Sequence, residues 1–197
     1  MSQMLYSSTN RKTPEVNLAE ALLQGQAPDK GLYLPVTIPS LAPGELGALR
    51  DKSYPEIAAA VLGKFAADTF SADAIEEMCR RAYNFEIPLE KVDSRRYVMR
   101  LDQGPTASFK DFAGRMMGQM LGALRQDSPG RLVILTATSG DTGSAVANAF
   151  YKIPNIEVMV LFPPAEVSNR QRKQMTTLGE NITVVGVRGS SMIVRRL

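Results

Sequence analysis

The second half of the chain alternates between short apolar runs and amphipathic stretches, and this alternation restricts the fold more than any other feature. Four apolar or β-branched runs predict strands, at residues 97–101, 132–137, 156–162 and 182–187. Between them, apolar residues at helical spacing predict helices, at residues 109–125, 142–151 and 168–178. Strands that alternate with helices of this length form parallel sheets covered by helices on both faces. The sequence therefore predicts the α/β class, with an open, mostly parallel sheet flanked by helices.

The first part of the chain is richer in proline and carries short helical signals. Ser53 is placed to cap a helix that runs to about Ala67, with Pro55 and Glu56 in its first turn. Ser71 is placed to open a second helix, and residues 29–35 predict a turn that enters a short strand. We predict a small helical N-terminal region over residues 1–95 and an α/β domain over residues 96–188.

The charge pattern and hydropathy argue against two classes of partner. The formal net charge is +3, and the basic residues lie in small scattered groups beside polar or acidic residues. We interpret these groups as solvated faces and expect no nucleic-acid partner. No apolar run reaches the roughly 20 residues of a membrane helix, and residues 1–13 lack the pattern of a signal peptide. We expect a cytoplasmic protein with no membrane partner.

Two residue counts limit the chemistry. Histidine is absent, so acid–base chemistry must come from other side chains or a cofactor, and we expect no metal site. The single cysteine, Cys79, excludes an internal disulfide and suits a reducing compartment. Its helical surroundings predict a packed side chain rather than a reactive one.

Two loops follow predicted strands, where open parallel sheets bind their ligands. One spans residues 102–108, and the other, which we call the anion loop, spans residues 138–143. If both preceding strands belong to one parallel sheet, both loops lie at the same edge. We therefore expect the two loops to converge.

Lys110 follows the first loop at the start of a predicted helix. Ser108 is a suitable N-cap and Asp111 completes a pattern like a capping box, which makes Lys110 the second helical residue. The helix dipole and partial burial by Phe109 and Phe112 would favour the neutral, nucleophilic amine. On position alone, a solvated lysine in a first helical turn is the more common case.

The anion loop combines small hydroxyl residues with glycine at a strand-to-helix turn. Such turns direct several backbone N–H groups toward one point and bind a carboxylate or a phosphate. Asp141 also fits the structural role of an N-cap. Along the Lys110 helix, Gly114, Gly118 and Gly122 recur every four residues, which predicts close approach of a neighbouring backbone.

Several segments resemble one enzyme family. GPTASFKDFA at residues 104–113 resembles the cofactor-lysine motif of the threonine synthase family of fold-type II pyridoxal-phosphate enzymes. TATSGDTGSA at residues 136–145 resembles its substrate-binding loop. Residues 6–9, 27–33 and 174–177 are also similar to family segments, in the same order. The resemblance covers about residues 5–188 and corresponds to the N-terminal half of the family.

The resemblance implies a cofactor, a substrate and roles for particular residues. Pyridoxal 5'-phosphate would be bound covalently by Lys110, and the family converts O-phosphohomoserine to L-threonine and phosphate. The substrate's α-carboxylate would be held by residues of the anion loop, namely Thr138, Ser139, Gly140, Asp141 and Thr142. Lys110 would then move protons at the α- and β-carbons of the substrate.

Three departures from the family pattern bear on activity. Lys30 stands where the family usually has a glycine, and the tail at residues 189–197 does not resemble the family. Family members are also at least about twice as long, and their second half carries the loop that grips the cofactor phosphate. We therefore expect a truncated chain that is inactive by itself.

Other readings of the sequence remain open. One is a noncatalytic module that retains the anion loop and binds a metabolite. Another is a fragment without function, which exposes a sheet edge and self-associates. A serine or threonine dehydratase of the same fold type is a further alternative that the motif set disfavours.

Overall fold

A computed structural model describes residues 3–189, and these residues form two compact units. The first unit ends at Asn84 and the second begins at Phe85. The predicted boundary after residue 95 falls within a hairpin of the second unit. Because the two strands of this hairpin pair with each other across residues 92–96, the chain is not divided there. The atypical tail at 189–197 lies, from residue 190 onward, outside the described residues.

The N-terminal unit contains a two-stranded antiparallel sheet and four helices. The strands β1 and β2 pair so that Tyr6 lies opposite Pro35. In chain order the elements are β1 (Tyr6–Ser8), α1 (Leu18–Gln24), β2 (Tyr33–Pro35), α2 (Pro43–Ala48), α3 (Tyr54–Ala66) and α4 (Ala72–Ala82). This part of the chain is predominantly helical, as its sequence predicts.

The caps of α3 and α4 lie where the sequence places them. Ser53 donates from its backbone N–H and its hydroxyl to the Glu56 carboxylate, at 2.9 and 2.6 Å. The Ser71 hydroxyl accepts from the backbone N–H of Ala74 at 3.3 Å. Cys79 is fully buried on α4, and this burial raises the pKa of its thiol to about 11. The prediction of a packed cysteine is confirmed.

Lys30 adopts a left-handed backbone conformation in the turn that leads to β2. Its φ angle is +67°, a region that costs non-glycine residues energy and that glycine enters freely. Glycine, which the resemblance implies at this position, would adopt the same conformation without that cost. The Asp29 carboxylate beside it accepts from the Ser8 hydroxyl at 2.6 Å and from the N–H of Gly31 at 2.9 Å, which holds the turn in place.

The second unit contains a hairpin followed by a three-stranded parallel sheet with its connecting helices. The order of the sheet is β5-β6-β7, and both pairings are parallel. In chain order the elements are β3 (Leu89–Lys91), β4 (Tyr97–Met99), α5 (Lys110–Arg125), β5 (Leu132–Ala137), α6 (Asp141–Ala149), β6 (Ile156–Phe162), α7 (Asn169–Thr176) and β7 (Ile182–Gly186). The predicted α/β class is confirmed.

The strand β4 does not belong to the parallel sheet, which corrects one expectation. It pairs with β3 in an antiparallel hairpin, in which Leu89 lies opposite Met99. Arg100 extends the hairpin by donating to Asp102 and to Glu90. Because these pairings use the neighbouring strand in sequence, the apolar run at 97–101 forms a local hairpin instead of a sheet strand.

The parallel sheet has one covered face and one open face. Along β6, Val158 and Val160 are buried on the side of α6 and α7, while Met159 on the opposite side is 38% exposed. On the edge strand β5, Val133 and Leu135 of the same open face are 56% and 62% exposed. Within residues 3–189, the prediction of helices on both faces therefore holds for one face only, and β5 is not the buried strand expected.

The glycine stripe on α5 allows a neighbouring segment to approach closely. A Cβ atom at Gly118 would lie 2.6 Å from the backbone oxygen of Ala149, and one at Gly122 would lie 3.0 Å from the Ile153 side chain. The expected close backbone approach is thus observed at Gly118. No helix in the described part of the chain is both long and apolar enough to cross a membrane.

The open sheet face generates a prediction about self-association. We expect the purified chain to associate at rising concentration, and Leu135→Glu to shift it toward the monomer, because the substitution places a charge on the apolar face. Sedimentation velocity measures this shift. Leu46→Glu is the matched control, since Leu46 is exposed to a similar extent, 64%, on α2 of the other unit. A wild-type chain that stays monomeric throughout would contradict the expectation.

Candidate functional site

Lys110 is the first residue of α5, one position earlier in the helix than predicted. Phe109 occupies the N-cap position, and the Ser108 hydroxyl accepts weakly from the Lys110 N–H at 3.4 Å. The predicted capping box between Ser108 and Asp111 is not formed. The reason is that the Asp111 side chain bonds to a different residue of the 102–108 loop.

Asp111 organises that loop from within the protein. It is fully buried, and its carboxylate accepts from the Thr106 N–H at 2.9 Å and from the Thr106 hydroxyl at 2.7 Å. A Cβ atom at Gly104 would lie 2.5 Å from the Asp111 carboxylate, so the loop needs glycine there. Asp111 therefore shapes the approach to Lys110, a role that the pattern in the sequence did not reveal.

Lys110 is half-buried, which agrees with the partial burial expected from the sequence, but Phe109 itself is exposed. Phe109 is 62% exposed, and Lys110 Nζ lies 4.5 Å from the centre of its ring. Within residues 3–189, Lys110 forms no ion pair, whereas Arg100, two residues before the loop, pairs with Asp102 and thereby lowers the pKa of that carboxyl. Lys110 is therefore half-buried and not held by an acidic side chain.

The anion loop is folded around the side chain of Thr138. The buried Thr138 hydroxyl oxygen accepts from the N–H groups of Gly140 and Gly143, at 2.9 Å each. Gly140 has a φ angle of +140°, which glycine adopts most readily. Of the five predicted site residues, Thr138 thus shapes the loop, and Gly140 provides its turn.

The rest of the anion loop faces outward. Ser139, Asp141 and Thr142 are exposed, and their backbone N–H groups have no hydrogen-bond partner in the described part of the chain. Asp141 is the first residue of α6 and Gly140 is its N-cap, so the alternative role of Asp141 as the cap is wrong. The loop therefore presents three free N–H groups at the positive end of a helix.

Helix α7 joins the two loops, a contact that no pattern in the sequence predicts. Gln171 Nε2 donates to Asp141 Oδ1 at 2.6 Å, and Gln174 Nε2 donates to the Thr106 carbonyl at 3.4 Å. The loops thus both contact α7, although β4 and β5 are not members of one sheet. The pattern S-x-x-Q at residues 168–171 predicts a capped helix, but it gives no sign of contacts to the loops.

Two family models match adjoining parts of the chain. The model described as the threonine synthase N terminus matches residues 5–83, and the model of pyridoxal-phosphate dependent enzymes matches residues 77–197. The chain is 42% identical to threonine synthase from Haemophilus influenzae over 90% of its own length and 41% of the relative. It is 39% identical to the Escherichia coli protein of the same name, over 89% of this chain and 40% of the relative.

Solved structures show the same relationship. The crystal structure of pyridoxal-phosphate-bound threonine synthase from Brucella melitensis superimposes with a TM-score of 0.92 at 36% identity, over 98% of this chain and 43% of that one. The Escherichia coli structure gives a TM-score of 0.87 at 36% identity, over 98% and 45%. The chain spans less than half the length of these relatives.

The chain belongs to the pyridoxal-phosphate-dependent enzyme family, because that family model covers more than half of its residues. Within this family, both sequence and structure match the N-terminal part of threonine synthases. The predicted resemblance and its restriction to the N-terminal part are thereby confirmed.

The buried carboxylate of Asp111 generates a stability prediction. Asp111→Ala removes the acceptor of two buried donors of Thr106. We expect this to lower the free energy of unfolding by about 1–3 kcal/mol. Urea unfolding measures this loss, and faster hydrogen exchange at the Thr106 amide locates it. Asp127→Ala, at an exposed position two residues after the end of α5, removes the same charge and serves as control. Equal effects of both substitutions would contradict a specific role for Asp111.

Proposed function

We propose that the chain binds pyridoxal 5'-phosphate through Lys110 and a substrate carboxylate through the anion loop, as the N-terminal part of a threonine synthase. The reaction proposed for the whole fold converts O-phosphohomoserine to L-threonine and phosphate. The observation that carries this proposal is a group of three N–H donors at the start of α6 that have no partner within residues 3–189 and are linked through α7 to the loop that precedes Lys110.

The chemistry of the anion loop favours a carboxylate. Free N–H groups of Ser139, Asp141 and Thr142 lie at a helix N-terminus, where partial positive charge stabilises anions. The hydroxyls of Ser139 and Thr142 add donors on the exposed side of the loop. In this proposal Thr138 and Gly140 hold the shape of the loop, and the other three residues contact the α-carboxylate.

The position of Lys110 fits covalent attachment of an aldehyde cofactor. Its amine is half-buried and free of ion pairs within residues 3–189, so no carboxylate has to be displaced before the amine reacts. When bound, the cofactor supplies an electron sink for charge that develops at the substrate's α-carbon. Lys110 would move the protons at the α- and β-carbons, for which it needs a free amine.

We further propose that the complete reaction needs more polypeptide than this chain provides. The relatives that carry the name threonine synthase are more than twice the length of the matched region. Residues 1–197 would thus supply the lysine and the carboxylate loop, without turnover by themselves. The proposed compartment is the cytoplasm, and the proposed partner is a small-molecule substrate.

A second candidate function is a noncatalytic metabolite-binding module. It is favoured by the anion loop, whose shaping contacts from Thr138 and Gln171 all lie within the second unit of this chain. Calorimetric titration of Lys110→Ala with O-phosphohomoserine separates the candidates. Tight binding that persists without the lysine favours the module, and binding that requires cofactor and lysine favours the enzyme part.

The role of Lys110 is tested by borohydride trapping. We expect incubation with pyridoxal phosphate followed by reduction to label Lys110 selectively, because its amine forms no ion pair within residues 3–189 and the residue is only half-buried. Peptide mapping by mass spectrometry identifies the site. The label should be lost in Lys110→Ala and retained in Lys152→Ala, in which the exposed partner of Glu180 is removed. Labelling scattered over surface lysines would contradict the proposed cofactor site.

A further inference from the structure

The side chain of Gln171 lies between the cap of its own helix and the anion loop. Its Oε1 atom accepts from the Ser168 N–H at 3.1 Å and from the Ser168 hydroxyl at 2.8 Å. Its Nε2 atom donates to Asp141 Oδ1 at 2.6 Å. Since the oxygen is occupied by two donors from Ser168, the amide group must direct its N–H₂ toward Asp141.

The contact with the anion loop is close as well as polar. A Cβ atom at Gly140 would lie 2.5 Å from Cδ of Gln171, so the loop backbone is packed directly against this side chain. The Ser144 hydroxyl shares its one hydrogen between the backbone carbonyls of Gly140 and Gln171, at 3.1 and 3.3 Å. These bonds fix the position of Gln171 relative to the loop.

Asp141 is an unusual residue for a loop that binds an anion. Its carboxylate carries the same charge as the proposed ligand and stems from the same turn as the three free N–H groups. A carboxylate turned toward these groups would compete with the ligand and repel it. The Gln171 amide supplies a fixed donor that holds the Asp141 carboxylate on the side of α7.

We propose that Gln171 is a positioning residue that holds the Asp141 carboxylate against α7 and keeps the N–H groups of the anion loop available to a carboxylate ligand. This inference rests on the proposed function of the loop. It assigns to α7 a part in ligand affinity, in addition to its packing against the sheet.

Gln171→Glu tests this role without removing the helix cap. Glutamate satisfies the capping box with Ser168 as glutamine does, but it presents oxygen instead of N–H₂ to Asp141. The dissociation constant for L-homoserine and for O-phosphohomoserine should rise roughly fivefold, because the released Asp141 carboxylate then repels the carboxylate of the ligand as two like charges about 4 Å apart do in water. NMR titration of the amide signals of Ser139 and Thr142 measures both constants.

Two further variants separate the positioning role from an added charge elsewhere in the chain and from a purely structural role. Gln126→Glu adds the same charge at the exposed end of α5 and should leave both dissociation constants unchanged. Asp141→Asn combined with Gln171→Glu exchanges the hydrogen-bond donor and acceptor of this contact, since the asparagine amide can donate to the glutamate carboxylate. The double variant should recover most of the affinity that Gln171→Glu loses, which a purely structural role for residue 171 does not predict.

The outcomes distinguish this inference from the function on which it rests. Weaker binding in Gln171→Glu with recovery in the double variant supports the positioning role. Unchanged binding in Gln171→Glu, or no recovery in the double variant, overturns that role and leaves the anion loop as a binding site. If the wild-type chain binds neither ligand at millimolar concentration, the function proposed for the loop fails, and the contact between Gln171 and Asp141 is then structural.

Discussion

The packing of α7 against the start of α6 is the constraint on which the site depends. Met175 is fully buried, and its sulfur atom lies 2.8 Å from where a Cβ atom at Gly143 would be. The same helix contacts Asp141 through Gln171 and the Thr106 carbonyl through Gln174. Because one helix contacts both loops, it fixes the position of the anion loop relative to the segment before Lys110.

The sequence predicts the fold wherever local pattern and tertiary environment agree. The apolar runs at 132–137 and 156–162 are strands with those bounds, and the predicted caps Ser53 and Ser71 precede helices as expected. Such signals depend on the spacing of apolar residues and on hydrogen bonds between residues a few positions apart in the sequence. The site residues Lys110 and Thr138 to Thr142 were found from motifs, and their functional roles remain predictions.

The parts that could not be predicted depend on contacts distant in sequence. Nothing in the run at 97–101 distinguishes a hairpin strand from a sheet strand, because both need the same alternation of residues. The link between Gln174 and Thr106 spans 68 residues, and that between Gln171 and Asp141 spans 30. Asp111 was interpreted as part of a cap because its spacing from Ser108 fits one, whereas its burial beneath Thr106 depends on the packed loop.

The most direct test of the account is an NMR measurement of contacts made by the glutamine side chains of α7. In a chain labelled with ¹⁵N at glutamine amides, we expect nuclear Overhauser effects from the Gln171 side chain to Gly140 and Asp141. We also expect effects from the Gln174 side chain to Thr106. If the effects from both glutamine side chains were absent while the backbone signals of α7 remained helical, α7 would not fix the two loops relative to each other. That result would contradict the proposed site.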